Sequence, residues 1–150
     1  MDPLQFLRSL NLKRKPSAVS NFWKCDEHDI PASPGVYLLI AKSDVQFPYP
    51  AGKSPIYYVG KTRSLHMRIV EQHLKYHTQV QKNCRSGRCL LEMRHEYGGI
   101  YGGRYSFIRT WPGVSRKDLE DMLLAAFATK YHAFPVANSA GAWKRLKNEF

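Results

Sequence analysis

The sequence GVYLLI at residues 35–40 and the sequence IYYVG at residues 56–60 decide the fold of this chain. Both are short, apolar and rich in β-branched or aromatic residues, which predicts buried strands over Val36–Ile40 and Ile56–Val59. Between them, Lys42–Pro55 holds three prolines and a glycine. We expect a loop there, because Pro48 and Pro55 cannot donate a hydrogen bond to a continuing strand. The pattern therefore predicts a hairpin with an extended loop.

Downstream of the second strand, the apolar spacing changes from that of a strand to that of a helix. Leu65, Ile69 and Tyr76 recur at helical intervals, and Ser64 is a residue type that favours the N-cap position. The sequence therefore predicts a helix from Ser64 to about Lys82.

The second half of the chain adds a strand and a helix. Tyr105–Trp111 alternates and is rich in strand-forming residues. Ser115 followed by Asp118 has the form of a capping box, which predicts a helix that ends near Tyr131. Cys89–Tyr97 is ambiguous, and we assign it to a short helix. Three strands and two principal helices predict the α+β class, with a small three-stranded antiparallel sheet packed with helices.

At 150 residues the chain has the length of a single domain. We expect its core over about residues 33–140, preceded by a basic N-terminal arm over residues 1–30 that begins with a short helix at residues 2–10. No apolar run reaches the ~20 residues that a helix needs to cross a bilayer. The N-terminus also lacks the features of a signal peptide. The expectation is therefore a cytoplasmic protein with no membrane partner.

The charge is strongly one-sided. The formal net charge is +11 at pH 7. An excess of this size indicates a polyanionic partner, namely nucleic acid or an anionic membrane surface. The cations are clustered rather than spread evenly, at Lys13–Lys15, Lys61–Arg68, Lys82–Arg94 and Lys144–Lys147.

The three cysteines are an odd number and predict no disulfide framework. Cys25 and His28, together with Cys84 and Cys89, offer the four ligands of a structural zinc site. The two pairs lie far apart in sequence, and the spacing of the second pair is loose. Ordinary reduced cysteines are the favoured interpretation.

The tripeptides Gly35-Val36-Tyr37 and Tyr58-Val59-Gly60 stand at the start of a longer pattern. Arg68 follows ten residues after Tyr58, Glu120 lies in the last predicted helix, and Asn138 comes after a proline. In this order the residues resemble the GIY-YIG nuclease superfamily, over the stretch from the first tripeptide to Asn138. The resemblance implies the α+β sheet described above and a metal-dependent endonuclease that hydrolyses DNA phosphodiester bonds.

The resemblance also implies a role for each residue. Tyr37 is the general base or positions the nucleophile, and Tyr58 holds the water or the phosphate by a hydrogen bond. The Arg68 guanidinium binds phosphate oxygens. Glu120 carries Mg²⁺ or Mn²⁺ with few protein ligands and many waters. Asn138 holds the site together or contacts phosphate.

A phenol has a pKa near 10 in solution, so it acts as a base only when a nearby cation lowers that value. Lys61 and Arg68 are the candidates for that cation, and Lys61 with Arg63 is expected to contact the nucleic-acid backbone. Many family members carry a histidine or tyrosine one helical turn after the arginine. Here that position is Gln72, and His73 beside it is one candidate substitute. His66 and Lys61 are the other candidates for this proton-handling or phosphate-contacting group.

The insert between the two tyrosines is the main departure from the family. Twenty residues, 38–57, separate them, which is longer than the family's usual connection. Phe47, Tyr49 and Lys53 in this insert either contact DNA or cap the core. The flanks are too short for a separate recognition domain, so we expect targeting to come from the N-terminal residues 1–30, the insert, the C-terminal tail, a protein partner or a homodimer. The alternative function is a non-catalytic nucleic-acid-binding module on the same fold.

Overall fold

The computed structural model describes residues 2–21, 27–74 and 103–138. These ranges contain two short 3₁₀ helices (Gln5–Ser9 and Glu27–Asp29), a π helix (Met67–Leu74) and one long helix, α1 (Arg116–Tyr131). They also contain the strands β1 (Ser20–Asn21), β2 (Gly35–Ile40), β3 (Phe47–Tyr49), β4 (Gly52–Ser54), β5 (Ile56–Thr62) and β6 (Arg104–Arg109).

Four strands form one antiparallel sheet in the order β1-β6-β2-β5. The predicted α+β class with a small antiparallel sheet is confirmed, and the three predicted strands are its three long ones. The sheet has a fourth strand, β1, which is only two residues long and pairs with the outer edge of β6. The register between β2 and β5 shifts at Ile40, which leaves Tyr57 as the extra residue of a bulge.

The sheet separates two apolar layers. All six residues of the central strand β2 are buried, and they alternate between the layers because successive side chains of a strand point to opposite faces. One layer joins β2 to α1 through Val36, Leu38, Ile40, Leu119, Leu123 and Phe127. The other joins β2 to the helix after β5 through Tyr37, Leu39, Leu65, Ile69 and Val70.

The N-terminal segment is part of this core. Phe6 and Leu7 are buried, and the Phe6 ring meets the Phe127 ring edge-on with 5.3 Å between centroids. Farther along, the Ser17 amide donates to the Phe107 carbonyl at 2.8 Å, and β1 follows. The segment predicted as a basic arm therefore extends the core beyond residues 33–140, and its predicted helix is the 3₁₀ helix Gln5–Ser9.

The insert between β2 and β5 folds as the two-stranded hairpin β3-β4, where the sequence predicted a loop. The expectation that Pro48 excludes a strand was wrong: Pro48 lies in β3 opposite Lys53. A strand with one partner tolerates proline, because the missing N–H can face outward. Phe47 is buried against Tyr57, and Tyr49 packs against Phe127. Both aromatic residues therefore cap the core.

The predicted helix starts are confirmed. Ser64 Oγ accepts a hydrogen bond from the Met67 amide at 3.2 Å, and Ser115 Oγ accepts one from the Asp118 amide at 3.1 Å. The first helix, predicted from its α-helical spacing, is π-wound over Met67–Leu74. Its predicted end near Lys82 and the short helix predicted over 89–97 lie outside the described residues. Within the described ranges, no helix combines the length and apolar character needed to cross a bilayer.

Candidate active site

Tyr37 and Tyr58 form a ring pair on one face of the sheet. Their centroids are 5.8 Å apart and their planes meet at 41°. The register explains the contact: Tyr37 lies opposite Gly60, so Tyr58 is its diagonal neighbour on the same face. Tyr37 is only 1% exposed, whereas Tyr58 is partly exposed. Tyr58 is therefore the phenol that the surface presents.

Gly60 makes room for both rings. A β-carbon on Gly60 would lie 2.7 Å from the Tyr37 hydroxyl oxygen and 2.5 Å from Cε1 of Tyr58. Gly35 serves a different purpose, because a β-carbon there would overlap the carbonyl oxygen of Ile108. Gly60 therefore leaves space for the two phenol rings, and Gly35 leaves space for the backbone of the neighbouring strand β6.

Arg68 lies on the helix that covers the phenol face. Leu65 and Ile69 of that helical segment are fully buried in the same apolar cluster as Tyr37. Arg68 itself is partly exposed, and its amide donates to the Ser64 carbonyl at 3.0 Å. Arg68 therefore belongs to the helix that packs on the same face of the sheet as the two phenols.

The π winding bears on the position of His73. Hydrogen bonds in a π helix span five residues, so one turn takes more residues than the 3.6 of an α-helix. Backbone position 73, five residues after Arg68, therefore lies nearer to the Arg68 face than α-helical winding would bring it. The side chain of His73 lies outside the described part of the structure.

Glu120 lies in the other layer. Glu120 is 8% exposed, and it is buried on α1 together with Leu123 and Leu124. Because α1 packs against the face of Val36 and Leu38, the sheet stands between this helix and the two phenols. β5 is the last strand of the sheet and contacts α1.

The two further cations follow β5 toward its end. Lys61 is partly buried, and it lies two residues after Val59, so the strand places it on the α1 face. Arg63, just after the strand, is exposed. The cations predicted to contact nucleic acid thus lie on and beyond the edge strand rather than over the phenol rings.

Asn138 is bound to this same edge. Its Oδ1 accepts from the Val59 amide at 3.0 Å, and its Nδ2 donates to the Val59 carbonyl at 2.8 Å. Next to it, the Ala137 amide donates to the Tyr57 carbonyl at 2.8 Å. The Asn138 side chain therefore satisfies both backbone groups of Val59, the β5 residue that follows Tyr58.

Glu120 suits Mg²⁺ as a lone carboxylate. This ion keeps several waters and is bound by one or two carboxylates together with substrate phosphates. In the ranges that the structure describes, no group of three or more His, Cys, Asp or Glu side chains forms a metal site. Of the suggested zinc ligands, His28 is exposed, and Cys25, Cys84 and Cys89 lie outside the described residues.

The hydroxyl of Tyr49 makes a connection that the sequence did not reveal. It donates to the Ile56 carbonyl at 2.7 Å and accepts from the Val136 amide at 3.1 Å. The available signal was the alternation of Phe47 and Tyr49, which has the period of a strand. The prolines around these residues obscured it.

Searches among protein-family models, curated proteins and solved structures return no match for this chain.

Proposed function

We propose that this chain is a metal-dependent endonuclease that hydrolyses DNA phosphodiester bonds in the manner of the GIY-YIG superfamily. The observation that carries the proposal is the Tyr37–Tyr58 ring pair over Gly60, beneath the helix that bears Arg68. The net charge of +11 supports a polyanionic substrate.

Hydrolysis of a phosphodiester needs an oriented, deprotonated water and positive charge opposite the phosphoryl oxygens. Tyr58, the more exposed phenol, holds the water or the phosphate. Tyr37 behind it is the general base or positions the nucleophile. The Arg68 fork binds the phosphate oxygens.

Glu120 is the proposed ligand of Mg²⁺ or Mn²⁺. When bound there, the ion supplies positive charge that offsets the charge developing on the phosphate. The substrate then lies across β5, the edge strand that carries Tyr58 and contacts α1. Lys61 and Arg63 contact the nucleic-acid backbone along β5, and Asn138 holds this strand through Val59. His73 is the proposed proton-handling residue.

One observation favours the alternative, a non-catalytic nucleic-acid-binding module. The helix that carries Glu120 packs on the sheet face opposite the phenols. A binding surface needs only the positive charge and gains nothing from a buried carboxylate near phosphate. Glu120 is therefore the residue that separates the two functions.

The test is incubation with single-stranded, duplex and branched DNA and with RNA, in Mg²⁺, in Mn²⁺ or in a chelator. Cleavage that the chelator stops supports the nuclease. The Glu120→Gln variant should cut at least ~100-fold more slowly, while its affinity for DNA stays equal or rises. Asp118→Asn removes an exposed carboxylate two residues away on the same helix and is the matched control. Binding without cleavage on every substrate would instead establish the binding module.

A further inference from the structure

The hairpin inserted between β2 and β5 reaches the candidate site through the hydroxyl of Tyr49. This oxygen lies between the Ile56 carbonyl, to which it donates at 2.7 Å, and the Val136 amide, from which it accepts at 3.1 Å. Residue 136 is thus attached to the start of β5 through a side chain of the insert.

The two residues after Val136 attach to β5 directly. The Ala137 amide donates to the Tyr57 carbonyl, and the Asn138 side chain bonds both backbone groups of Val59. Three consecutive residues of this segment are therefore fixed along the edge strand on either side of Tyr58. The Tyr49 hydroxyl provides the first of these three attachments.

The ring of Tyr49 contacts the third element of the site, α1. Its centroid lies 5.1 Å from that of Phe127, edge-on at 85°, and 5.7 Å from that of Tyr131. The Ala51 amide of the hairpin also donates to the Tyr131 carbonyl at 3.2 Å. One side chain therefore contacts the strand that bears Tyr58, the segment that bears Asn138 and the helix that bears Glu120.

We propose that Tyr49 is a positioning residue of the candidate site, and that the insert acts as an internal brace that holds the 136–138 segment against β5. This inference rests on the proposed nuclease function for its effect on cleavage. Removing the hydroxyl while keeping the ring breaks the link between Val136 and Ile56 and loosens Asn138 beside Tyr58. The aromatic packing on α1 remains.

The brace is tested first by amide hydrogen exchange, which needs no enzymatic activity. In Tyr49→Phe, the amides of Val136 and Ala137 should exchange ~10-fold faster than in the parent protein. Tyr131→Phe is the matched control, because it removes a hydroxyl from a neighbouring ring of the same aromatic cluster. Unchanged exchange in Tyr49→Phe, or an equal change in the control, overturns the brace.

The positioning role is tested by cleavage kinetics. Tyr49→Phe should lower kcat ~10-fold with KM changed less than ~2-fold, because the loss falls on the transition state. Combined with Asn138→Ala, it should add little further loss, since both substitutions act through the same attachment. A normal kcat, or fully additive losses, overturns the role. A parent protein that cleaves no substrate refutes the proposed nuclease and leaves the brace to be decided by the exchange rates.

Discussion

The Tyr37 ring closes over Gly60, the residue opposite it in the sheet register, and leaves no room for a side chain there. The hydroxyl oxygen would lie 2.7 Å from a β-carbon on Gly60, well inside contact distance. The glycine of the second signature tripeptide is therefore required by the tyrosine of the first.

Replacing Gly60 with alanine should displace the phenol pair. We expect Gly60→Ala to lower the free energy of unfolding by about 1–3 kcal/mol, the usual cost of overpacking, and to reduce cleavage. Urea denaturation measures the first effect. In a Tyr37→Leu background the same substitution should cost less, because the shorter side chain vacates the space. Equal costs in both backgrounds would show that the Tyr37 ring does not set the cost of a β-carbon at Gly60, which would leave the Tyr58 ring as its cause.

Cleavage should depend on the planar, two-pronged guanidinium of Arg68 and not only on its positive charge. Arg68→Lys replaces a bidentate donor with a point charge, so we expect kcat to fall by about 10-fold or more. The same change at the exposed Arg63 is the control, because a surface contact with phosphate depends on charge rather than on geometry. Steady-state cleavage of one DNA substrate measures both variants, and equal effects would argue against a specific role for Arg68.

Tyr57 predicts a loss of stability at alkaline pH. Burial raises the pKa of its phenol above the ordinary value near 10. Above about pH 10 the unfolded chain releases this proton and the folded chain keeps it, so stability is complete below that pH and falls as the pH rises further. The slope approaches about 1.4 kcal/mol per pH unit for one proton.

The measurement is urea denaturation of the parent protein and of Tyr57→Phe at about pH 9 and about pH 11. The difference in stability between the two proteins should shift in favour of the variant at the higher pH. Because other tyrosines and lysines titrate equally in both proteins, the comparison isolates this phenol. A difference that does not change with pH would contradict the burial of its hydroxyl.

His132 ends α1 in a left-handed backbone conformation, with φ 57°. A residue with a β-carbon is strained there, whereas glycine is not. We expect His132→Gly to stabilise the fold by about 0.5–1 kcal/mol and to raise Tm by a few degrees. His132→Ala keeps the β-carbon and should bring no such gain. Calorimetry would contradict the prediction if the glycine variant melted earlier than the parent.

The sheet and its long helix were predictable because their signals are local. Short runs of β-branched and aromatic residues indicated β2, β5 and β6, and Ser115 with Asp118 marked the start of α1. The hairpin β3-β4 was missed because Pro48 normally indicates a break, and its tolerance here depends on a strand having a single partner. β1 is two residues long and carries no periodic signal, so only its pairing with β6 defines it.

The site was predictable only as a set of residues. The motif spacing named Tyr37 and Tyr58, and their contact follows from the strand register. The sequence did not predict the layer in which Glu120 lies, because the face of the sheet on which α1 packs is set by the tertiary contacts of Leu119 and Leu123. The π winding after Met67 also escaped prediction, since apolar spacing over so few residues does not distinguish it from an α-helix.

The Asn138 side chain has a consequence for association between copies of this chain. An exposed strand edge invites another strand to pair with it, and this is a common route to aggregation. At Val59, a side-chain amide already satisfies both backbone groups that an incoming strand would use. The opposite margin of the sheet is the two-residue β1, too short to template a partner. Among the described residues, pairing of another strand with either margin of this four-stranded sheet is therefore disfavoured.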